Sequence, residues 1–314
     1  MGYAVGIDIG GTKIAIGLVN KRGELKDNRT IPMERDTAPA EMVSKIADVV
    51  RGLVEGSTGW HEVIGIGVGA PGPLNLKENT VHEPPNLPGW RRVPIVSLLE
   101  EEFSLPVYLQ NDATAAALAE KWLGAAQNSN DFIYLTISTG IGAGMMSGGK
   151  LISGTGGNAG EVGHIVVDPS YGKCTCGQYG CLEWIASGTG IARHASARFG
   201  RDMTSSEVME LYRDRDPAAV EFIEEIFSKI GTGCVSLINM YDPEIIVVGG
   251  GVSNAGEPLF HALQSYVSTY ALNSVSRNIQ IVPTSLGSNN GLLGAAALVY
   301  YETDKNLVCK YGRR

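Results

Sequence analysis

Short apolar runs separated by glycine-rich turns recur along this chain. Residues 3–9 and 14–19 flank the turn Gly10-Gly11-Thr12-Lys13, and further apolar runs cover 63–68 and 107–109. Short apolar runs bounded by glycine or proline are typical of buried β-strands. The pattern predicts strands at all four places, the first two joined by a tight turn.

Two segments between these runs have the character of helices. Apolar residues recur at helical spacing over 39–55, which predicts an amphipathic helix. Residues 113–123 are rich in alanine and lack glycine and proline, which favours a helix directly after Asp112. Strands that alternate with helices indicate an α/β protein.

The pattern then restarts. An apolar run at 132–138 precedes the loop 139–144, so YLTISTGIGAGM matches GIDIGGTKIAIG in its order of strand, glycine turn and second apolar run. This similarity predicts two related α/β halves. Independent glycine-rich hairpins are the alternative explanation.

Later elements follow the same alternation. We predict a long helix over 217–240, a buried strand over 245–248 that ends in Gly249-Gly250-Gly251, and a final helix over 292–301. Residues 303–314 are charged or polar, and we expect them to be disordered or peripheral.

Composition narrows the possible functions. The chain has 314 residues, 44% hydrophobic and 18% charged, which is typical of a folded protein with one large or two ordinary domains. A net charge of −8 argues against a nucleic-acid partner but permits ATP, whose phosphates can be neutralised locally by backbone N–H groups and a metal ion.

The sequence also carries signals of location. It begins without the pattern of a signal peptide and contains no apolar run long enough to span a bilayer. Its five cysteines are an odd number, and three of them lie between Cys174 and Cys181. We therefore expect a reducing cytoplasm and no membrane partner.

Three glycine loops follow strands, and none matches a Walker loop or a dinucleotide-binding start. Asp8, at a strand end beside the first loop, could orient Mg²⁺ through its waters, while Thr12 and Lys13 add a hydroxyl and a charge. Each loop alone could be an ordinary turn.

Together the loops resemble those of the actin-like ATPase and sugar-kinase superfamily. The resemblance implies a two-domain actin-like (ribonuclease H-like) α/β fold with an interdomain cleft, in which two hairpin loops clamp the phosphates of ATP and a third approaches the adenosine. The nucleotide-binding residues so implied are Asp8, Gly10, Gly11, Thr12, Lys13, Thr139, Gly140, Gly250 and Gly251.

A dense group of soft ligands follows at His164, Cys174, Cys176 and Cys181. Three thiols and one imidazole are a tetrahedral Zn²⁺ set, and four protein ligands indicate a structural site. The alternative is a set of buried, reduced thiols. The sequence predicts a zinc-held loop.

The motifs together resemble the ROK family of bacterial sugar kinases and sugar-responsive repressors. They are DIGGTK, Asn111-Asp112, EVGH, CTCGQYGCLE and the GGG loop, and they extend from Gly6 to about Ala297. The chain begins close to its first strand, without the helix-turn-helix of the repressors, so it resembles the kinase branch.

This resemblance implies roles for individual residues. Asp112 is the general base, and sugar hydroxyls contact Asn111, Asp112, Glu161, His164 and Glu183. His164 would bind zinc through one ring nitrogen and a hydroxyl through the other. Outside the family context, Asp112 would be interpreted as a helix cap. Thr114 departs from the asparagine of many members, which could alter the packing beneath the base.

The implied activity is phosphorylation of a hexose at its primary 6-hydroxyl by ATP and Mg²⁺. The segments GAPGPLN, PNLPGW and GCLEWIAS resemble the glucokinase members, so glucose is the expected substrate. Fructose, mannose and N-acetylhexosamines remain alternatives, and a non-catalytic sugar sensor or repressor-derived protein is an alternative of another class.

We also expect a particular domain division and assembly. The small domain would comprise 1–114 plus 292–314, and the large domain 115–291. Family members form homodimers and homotetramers, and the helix over 217–240 could supply an interface. We expect Cys234 to be a small buried apolar residue and assign no role to Cys309.

Overall fold

The structure, a computed structural model, describes residues 2–309. The strands are β1 (Tyr3–Ile9), β2 (Lys13–Asn20), β3 (Leu25–Pro32), β4 (Val63–Ala70), β5 (Leu74–Asn75), β6 (Thr80–Val81), β7 (Val107–Asn111), β8 (Phe132–Ile137), β9 (Ile141–Ser147), β10 (Lys150–Leu151), β11 (Ile245–Gly249) and β12 (Gln280–Pro283). The helices are α1 (Pro39–Glu55), α2 (Ile95–Phe103), α3 (Asp112–Trp122), α4 (Leu182–Ala186), α5 (Gly188–Phe199), α6 (Ser205–Arg213), α7 (Pro217–Tyr241), α8 (Glu257–Tyr270), α9 (Asn290–Thr303) and α10 (Lys305–Val308).

The chain divides into two compact units. The first contains residues 1–130, 144–160 and 285–314, and the second contains 131–143 and 161–284. The sequence prediction assigned 115–291 to the large domain, whereas 115–130, which include most of α3, and 144–160 and 285–291 belong with the first unit. In the case of α3 the reason is tight packing on α9, where a Cβ added to Gly294 would lie 2.5 Å from the Ala115 carbonyl carbon.

The first unit is built on a sheet in the order β3-β2-β1-β4-β7. Strands β1, β4 and β7 are parallel, and their register places Asp8 beside Gly69 and Gly69 beside Gln110. The carboxyl ends of the three parallel strands therefore meet at one edge of the sheet. We call this the carboxyl edge, and ligands of open α/β sheets commonly bind at such edges.

The two faces of this sheet are covered differently. Buried apolar side chains of α1 and α2 pack with Val5, Ile7 and Val68 on one face. Gly67 alternates with these residues, and a Cβ added to it would lie 1.8 Å from the Ala295 carbonyl oxygen of α9. Glycine within the strand therefore allows the backbone of α9 to approach the opposite face closely.

The second unit contains the strands β8, β11 and β12, which are parallel, and the sheet to which they belong has the order β10-β9-β8-β11-β12. This order repeats that of the first sheet strand for strand, which confirms the predicted internal repeat. The long helix α7 packs on α8, α6 and α4 and buries Cys234 completely, as expected for a small apolar residue.

Most predicted elements are present, and α1 has the predicted bounds. Several elements were missed, among them β3, α2, α5, α6 and α8. The expectation for 303–314 is wrong as far as residue 309, because α10 leads into Val308 and Cys309, which are buried. Residues 310–314 lie outside the described part of the chain.

Candidate functional site

The first glycine loop has a shape fixed by its own backbone. The Gly10 N–H donates to the Lys13 carbonyl oxygen at 2.9 Å, and the Thr12 carbonyl accepts from the Met33 N–H at 2.9 Å. The Arg35 side chain donates through Nε to the Gly11 carbonyl at 3.0 Å. The loop thus joins β1 to β2 as a tight turn directly after Asp8.

Asp8 is an unusual carboxyl group at the carboxyl edge. Burial raises its pKa to about 6, and the nearby Lys13 ammonium opposes this shift. A Cβ added to Gly291, in the first turn of α9, would lie only 2.2 Å from Asp8 Oδ2. The carboxyl group is therefore packed against a helix start that must lack a side chain, where it could hold a hydrated cation.

Asn111 and Asp112 lie at the junction of β7 and α3. Asn111 Oδ1 accepts a hydrogen bond from the Thr114 N–H at 3.1 Å, so Asn111 caps the helix. Asp112 is the first helical residue, and its Oδ1 accepts from the Ala113 N–H at 2.8 Å. The interpretation of Asp112 as the N-cap is therefore wrong. The departure at Thr114 leaves a fully buried side chain whose hydroxyl lies 3.4 Å from Asn111 Oδ1.

The two predicted acidic residues of the first unit both lie beside Gly69 at the carboxyl edge. An added Cβ at Gly69 would lie 3.7 Å from the Cα of Asp112 and 3.8 Å from Asp8 Oδ1. The Asp8 carboxylate and the backbone of Asp112 thus adjoin the same glycine of β4. The structure brings together Asp8, Asn111 and Asp112, as the sequence predicted.

The second unit brings together the four predicted soft ligands. One ligand atom from each of His164, Cys174, Cys176 and Cys181 lies within 4.8 Å of the others. Cys174 Sγ is 3.8 Å from His164 Nδ1, and Cys176 Sγ is 3.6 Å from Cys181 Sγ. The edge of a tetrahedron with Zn–S bonds of 2.3 Å is about 3.8 Å, so these two separations suit ligands of one Zn²⁺ ion.

Local backbone bonds fold the chain around this cluster. The Cys174 N–H donates to the Gln178 carbonyl oxygen at 2.7 Å, and the Gly177 N–H donates to the Cys174 carbonyl oxygen at 2.9 Å. Burial raises the pKa of the Cys181 thiol to about 12, whereas hydrogen bonding to the backbone at Gln178 lowers the pKa of Cys176. A buried thiol ionises readily only beside a cation, so the donor set suits a bound metal ion.

The remaining predicted sugar contacts of the second unit are also neighbours. Burial is the main cause that raises the pKa of Glu161. The nearby His164 lowers this pKa and the like charge of Glu183 raises it, so the three groups interact electrostatically. Glu183 Oε2 accepts a hydrogen bond from the Ile141 N–H at 2.8 Å. A Cβ added to Gly140 would lie 2.5 Å from the same oxygen. Glu183 therefore touches the second glycine loop, a contact that the sequence did not predict.

Side chains outside the motifs hold Trp184, the residue that follows Glu183. The Arg193 guanidinium stacks 3.5 Å above the Trp184 ring, and its Nη1 donates to the Trp184 carbonyl at 3.1 Å. His194 Nε2 lies 3.2 Å from the same carbonyl. Both residues belong to α5, which the sequence analysis did not predict.

The second and third glycine loops border one cavity of the second unit, about 750 Å³ in volume. Gly250 has φ +86°, and an added Cβ would lie 2.4 Å from the Ile137 carbonyl oxygen. The cavity has room for a nucleoside and is lined by Ser138, Thr139, Gly188, Thr189, Ile191, Ala192, Met203, Thr204, Ser205, Ser206, Met209, Glu210, Arg213, Gly251, Val252, Asn254 and Ala255.

Part of this lining was missed in the sequence. Thr189 Oγ1 donates to the Thr139 carbonyl at 2.9 Å, and the Gly188 N–H donates to the Ser138 carbonyl at 2.7 Å. The segment Ser-Gly-Thr-Gly at the start of α5 was the available signal, because such segments bring backbone close to a ligand.

Among the described residues, no helix combines the length and apolar character needed to cross a membrane.

Comparisons with known proteins agree with this geometry. The profile of the ROK family matches residues 4–302. A glucokinase of Halalkalibacterium halodurans is 35% identical over 313 residues, which cover 95% of this chain and 94% of the relative. The solved structure of a ROK family glucokinase from Streptomyces griseus in complex with glucose and AMPPNP has a TM-score of 0.80 at 35% identity, covering 95% of this chain and 99% of that one.

A relative with a different role also matches. The xylose repressor of Caldicellulosiruptor bescii is 30% identical over 95% of this chain, which spans 78% of the repressor.

Proposed function

Because this chain belongs to the ROK family, which has an actin-like ATPase fold, we propose that it transfers the γ-phosphoryl group of ATP to the 6-hydroxyl of a hexose, with glucose as the preferred substrate. The observation that carries the proposal is that Asp112 and the Asp8 carboxylate both adjoin Gly69 at the carboxyl edge of the first sheet. A repressor needs no general base beside a cation-binding carboxylate, whereas phosphoryl transfer needs both groups close together.

The residues of the first unit have separate tasks in this reaction. Asp112 accepts the proton of the sugar hydroxyl as its oxygen attacks the γ-phosphorus, and Asn111 orients the sugar. Mg²⁺, when bound near Asp8, neutralises charge on the phosphates. The Gly11 amide, the Thr12 hydroxyl and the Lys13 ammonium bind the phosphate oxygens, and Gly10 closes the turn that presents them, because its N–H donates to the Lys13 carbonyl oxygen.

The residues of the second unit bind the other parts of the substrates. Thr139 and Gly140 contact phosphate, and the cavity that includes Gly251 holds the adenosine, with Gly250 shaping its wall. Zn²⁺, when bound by His164, Cys174, Cys176 and Cys181, supplies structural rigidity, since all four positions are protein ligands. His164 Nδ1 faces Cys174, which leaves Nε2 to hydrogen-bond a sugar hydroxyl. Glu161 and Glu183 accept hydrogen bonds from further sugar hydroxyls.

The choice of glucose rests on the relatives and on the segments that resemble glucokinases. The H. halodurans relative is named a glucokinase, and the S. griseus structure contains glucose.

Cysteine chemistry supports the proposed cytoplasmic location, because the cysteines are thiols in the part of the chain that the structure describes. We propose a homodimer or homotetramer, as in other members of the family.

A coupled ATPase assay across a panel of hexoses tests the proposal. Glucose should give the highest kcat/KM, and Asp112→Asn should lower kcat by about a thousandfold while glucose binding measured by calorimetry persists. ATP turnover that no hexose stimulates would refute the kinase assignment. A faster reaction with fructose, mannose or an N-acetylhexosamine would refute only the choice of glucose.

A further inference from the structure

One side chain joins two separate segments of the first unit. Asn158 Oδ1 accepts a hydrogen bond from the Leu74 N–H, and Asn158 Nδ2 donates to the Leu74 carbonyl oxygen, each at 2.9 Å. The side-chain amide thus presents one acceptor and one donor to a single residue, as the backbone of a neighbouring strand would.

The backbone of Leu74 needs such a partner. Leu74 pairs with Val81 in the β5–β6 hairpin, and Val81 exchanges both of its backbone hydrogen bonds with Val93 at 3.0 Å. In an antiparallel pair of this kind, the N–H and C=O of both residues point away from each other. The backbone N–H and C=O of Leu74 therefore point out of the hairpin. Leu74 is only 3% exposed, so these groups need a partner within the protein, and Asn158 provides it.

Further contacts hold the segment around Asn158 in place. We call residues 153–159 the anchored loop, because the Ala159 N–H donates to the Ser153 carbonyl at 3.2 Å and closes it. The Leu76 N–H donates to the Gly156 carbonyl at 3.4 Å. Gly157 has φ +89°, and an added Cβ would lie 2.3 Å from Leu76 Cγ. A glycine is thus required where the loop meets the 74–76 segment.

The anchored loop contacts the strand that leads into the proposed sugar site. Its Ser153 Oγ is 3.4 Å from Gln110 Nε2, and Gln110 directly precedes Asn111 and Asp112. The segment that Asn158 binds continues from β4, whose Gly69 adjoins Asp112. Beyond the loop, the chain reaches Glu161 two residues after Ala159.

We propose that Asn158 is a positioning residue that sets the affinity for the sugar. This inference rests on the proposed hexose kinase function. By binding both polar groups of Leu74, Asn158 fixes the anchored loop against the carboxyl edge, and so fixes the boundary of the sugar site next to Asp112. The side chain of Asn158 is itself exposed, so its loss affects the loop and spares the core.

Substitutions at Asn158 test the proposal, with Asn75 as a matched control. Asn158→Ala removes both hydrogen bonds, and Asn158→Asp keeps the acceptor for the Leu74 N–H while it turns an oxygen toward the Leu74 carbonyl. Asn75→Asp is the control, because Asn75 Oδ1 only accepts, from the Lys77 and Glu78 N–H groups, and a carboxylate retains both bonds.

We expect both Asn158 variants to raise KM for glucose about tenfold, because Asn158→Ala loses two neutral hydrogen bonds, and Asn158→Asp loses one and places a charged oxygen against the Leu74 carbonyl oxygen. The kcat at saturating glucose and the KM for ATP should stay within about threefold of the wild-type values, since Asp112 and the nucleotide residues are untouched. Calorimetry without nucleotide should show the same weakening of glucose binding, and Asn75→Asp should match the wild type.

Three results would overturn the proposal. They are a KM for glucose within twofold of wild type in both Asn158 variants, a parallel rise in the KM for ATP, and a loss of folding in thermal melts, which would make Asn158 a structural residue. A wild-type protein that phosphorylates no hexose would instead refute the proposed function, so the two failures are distinguishable.

Discussion

Replacing Asp8 by asparagine is expected to stabilise the protein while it abolishes phosphoryl transfer. Asp8 has a pKa near 6 because burial disfavours its ionised form. At neutral pH the folded state must therefore keep a carboxylate that would be better solvated in the unfolded chain. Asparagine has nearly the same shape and carries no charge, so it relieves this cost.

The size of the gain follows from the pKa. A rise from 3.8 to about 6 is roughly two units, which at 1.36 kcal/mol per unit gives at most about 3 kcal/mol. Asp8 is still partly exposed, so solvent screening reduces the expected gain to about 1–2 kcal/mol.

The gain should depend on pH in a defined direction. The folded state binds the Asp8 proton more tightly than the unfolded state does, so wild-type stability from this group is complete below pH 3.8 and is lost as pH rises through about 6. The advantage of Asp8→Asn should therefore be largest at pH 7 and above, and about half as large at pH 5.

Urea unfolding followed by tryptophan fluorescence measures this difference, since three of the four tryptophans lie in the first unit. Added Mg²⁺ and nucleotide should be left out, because a cation favours the ionised carboxylate. Asp36→Asn, at an exposed position, is the control and should change stability by no more than about 0.5 kcal/mol. An Asp8→Asn protein no more stable than wild type at pH 7.5, or one whose advantage is unchanged at pH 5, would refute the reasoning.

Two further substitutions test other parts of the site. Gly291→Ala should lower kcat/KM for ATP at least tenfold, because its methyl group would displace the Asp8 carboxylate, whereas Gly52→Ala in α1, with open space around it, should be neutral. Normal Mg²⁺-dependent kinetics in Gly291→Ala would contradict the packing argument. Cys176→Ser should lose bound zinc by elemental analysis and weaken glucose binding at least tenfold while ATP binding persists, with Cys234→Ala as the control. Unchanged glucose affinity in a zinc-free protein would show that the metal does not shape the sugar site.

Local patterns explain which elements the sequence could predict. Helix α1 has strong apolar periodicity over its whole length, and β1, β4 and β11 are apolar apart from Asp8, so each is specified by its own residues. The dense cysteine cluster and the glycine loops are likewise local in sequence. Their grouping could therefore be predicted without knowledge of the fold.

Non-local packing explains what the sequence could not predict. The assignment of α3 to one unit or the other depends on its contact with α9, which lies far along the chain. The hydrogen bond from Ile141 to Glu183 and the contact of Asn158 with Leu74 also join distant segments. Such pairs leave no periodic signal in the sequence. Each partner is an ordinary residue for its own local segment, and only the fold brings the two together.

The close approach of α9 to the glycine of β4 has a consequence for biosynthesis. The surface that covers this face of the first sheet comes from residues 290–303, whereas the strands themselves are made at the start of translation. The second unit is encoded between them and contains no strand from the first 130 residues. A nascent chain can therefore complete the second unit before the first. The first unit begins the chain, but it can fold completely only after α9 has been synthesised, near the end of translation.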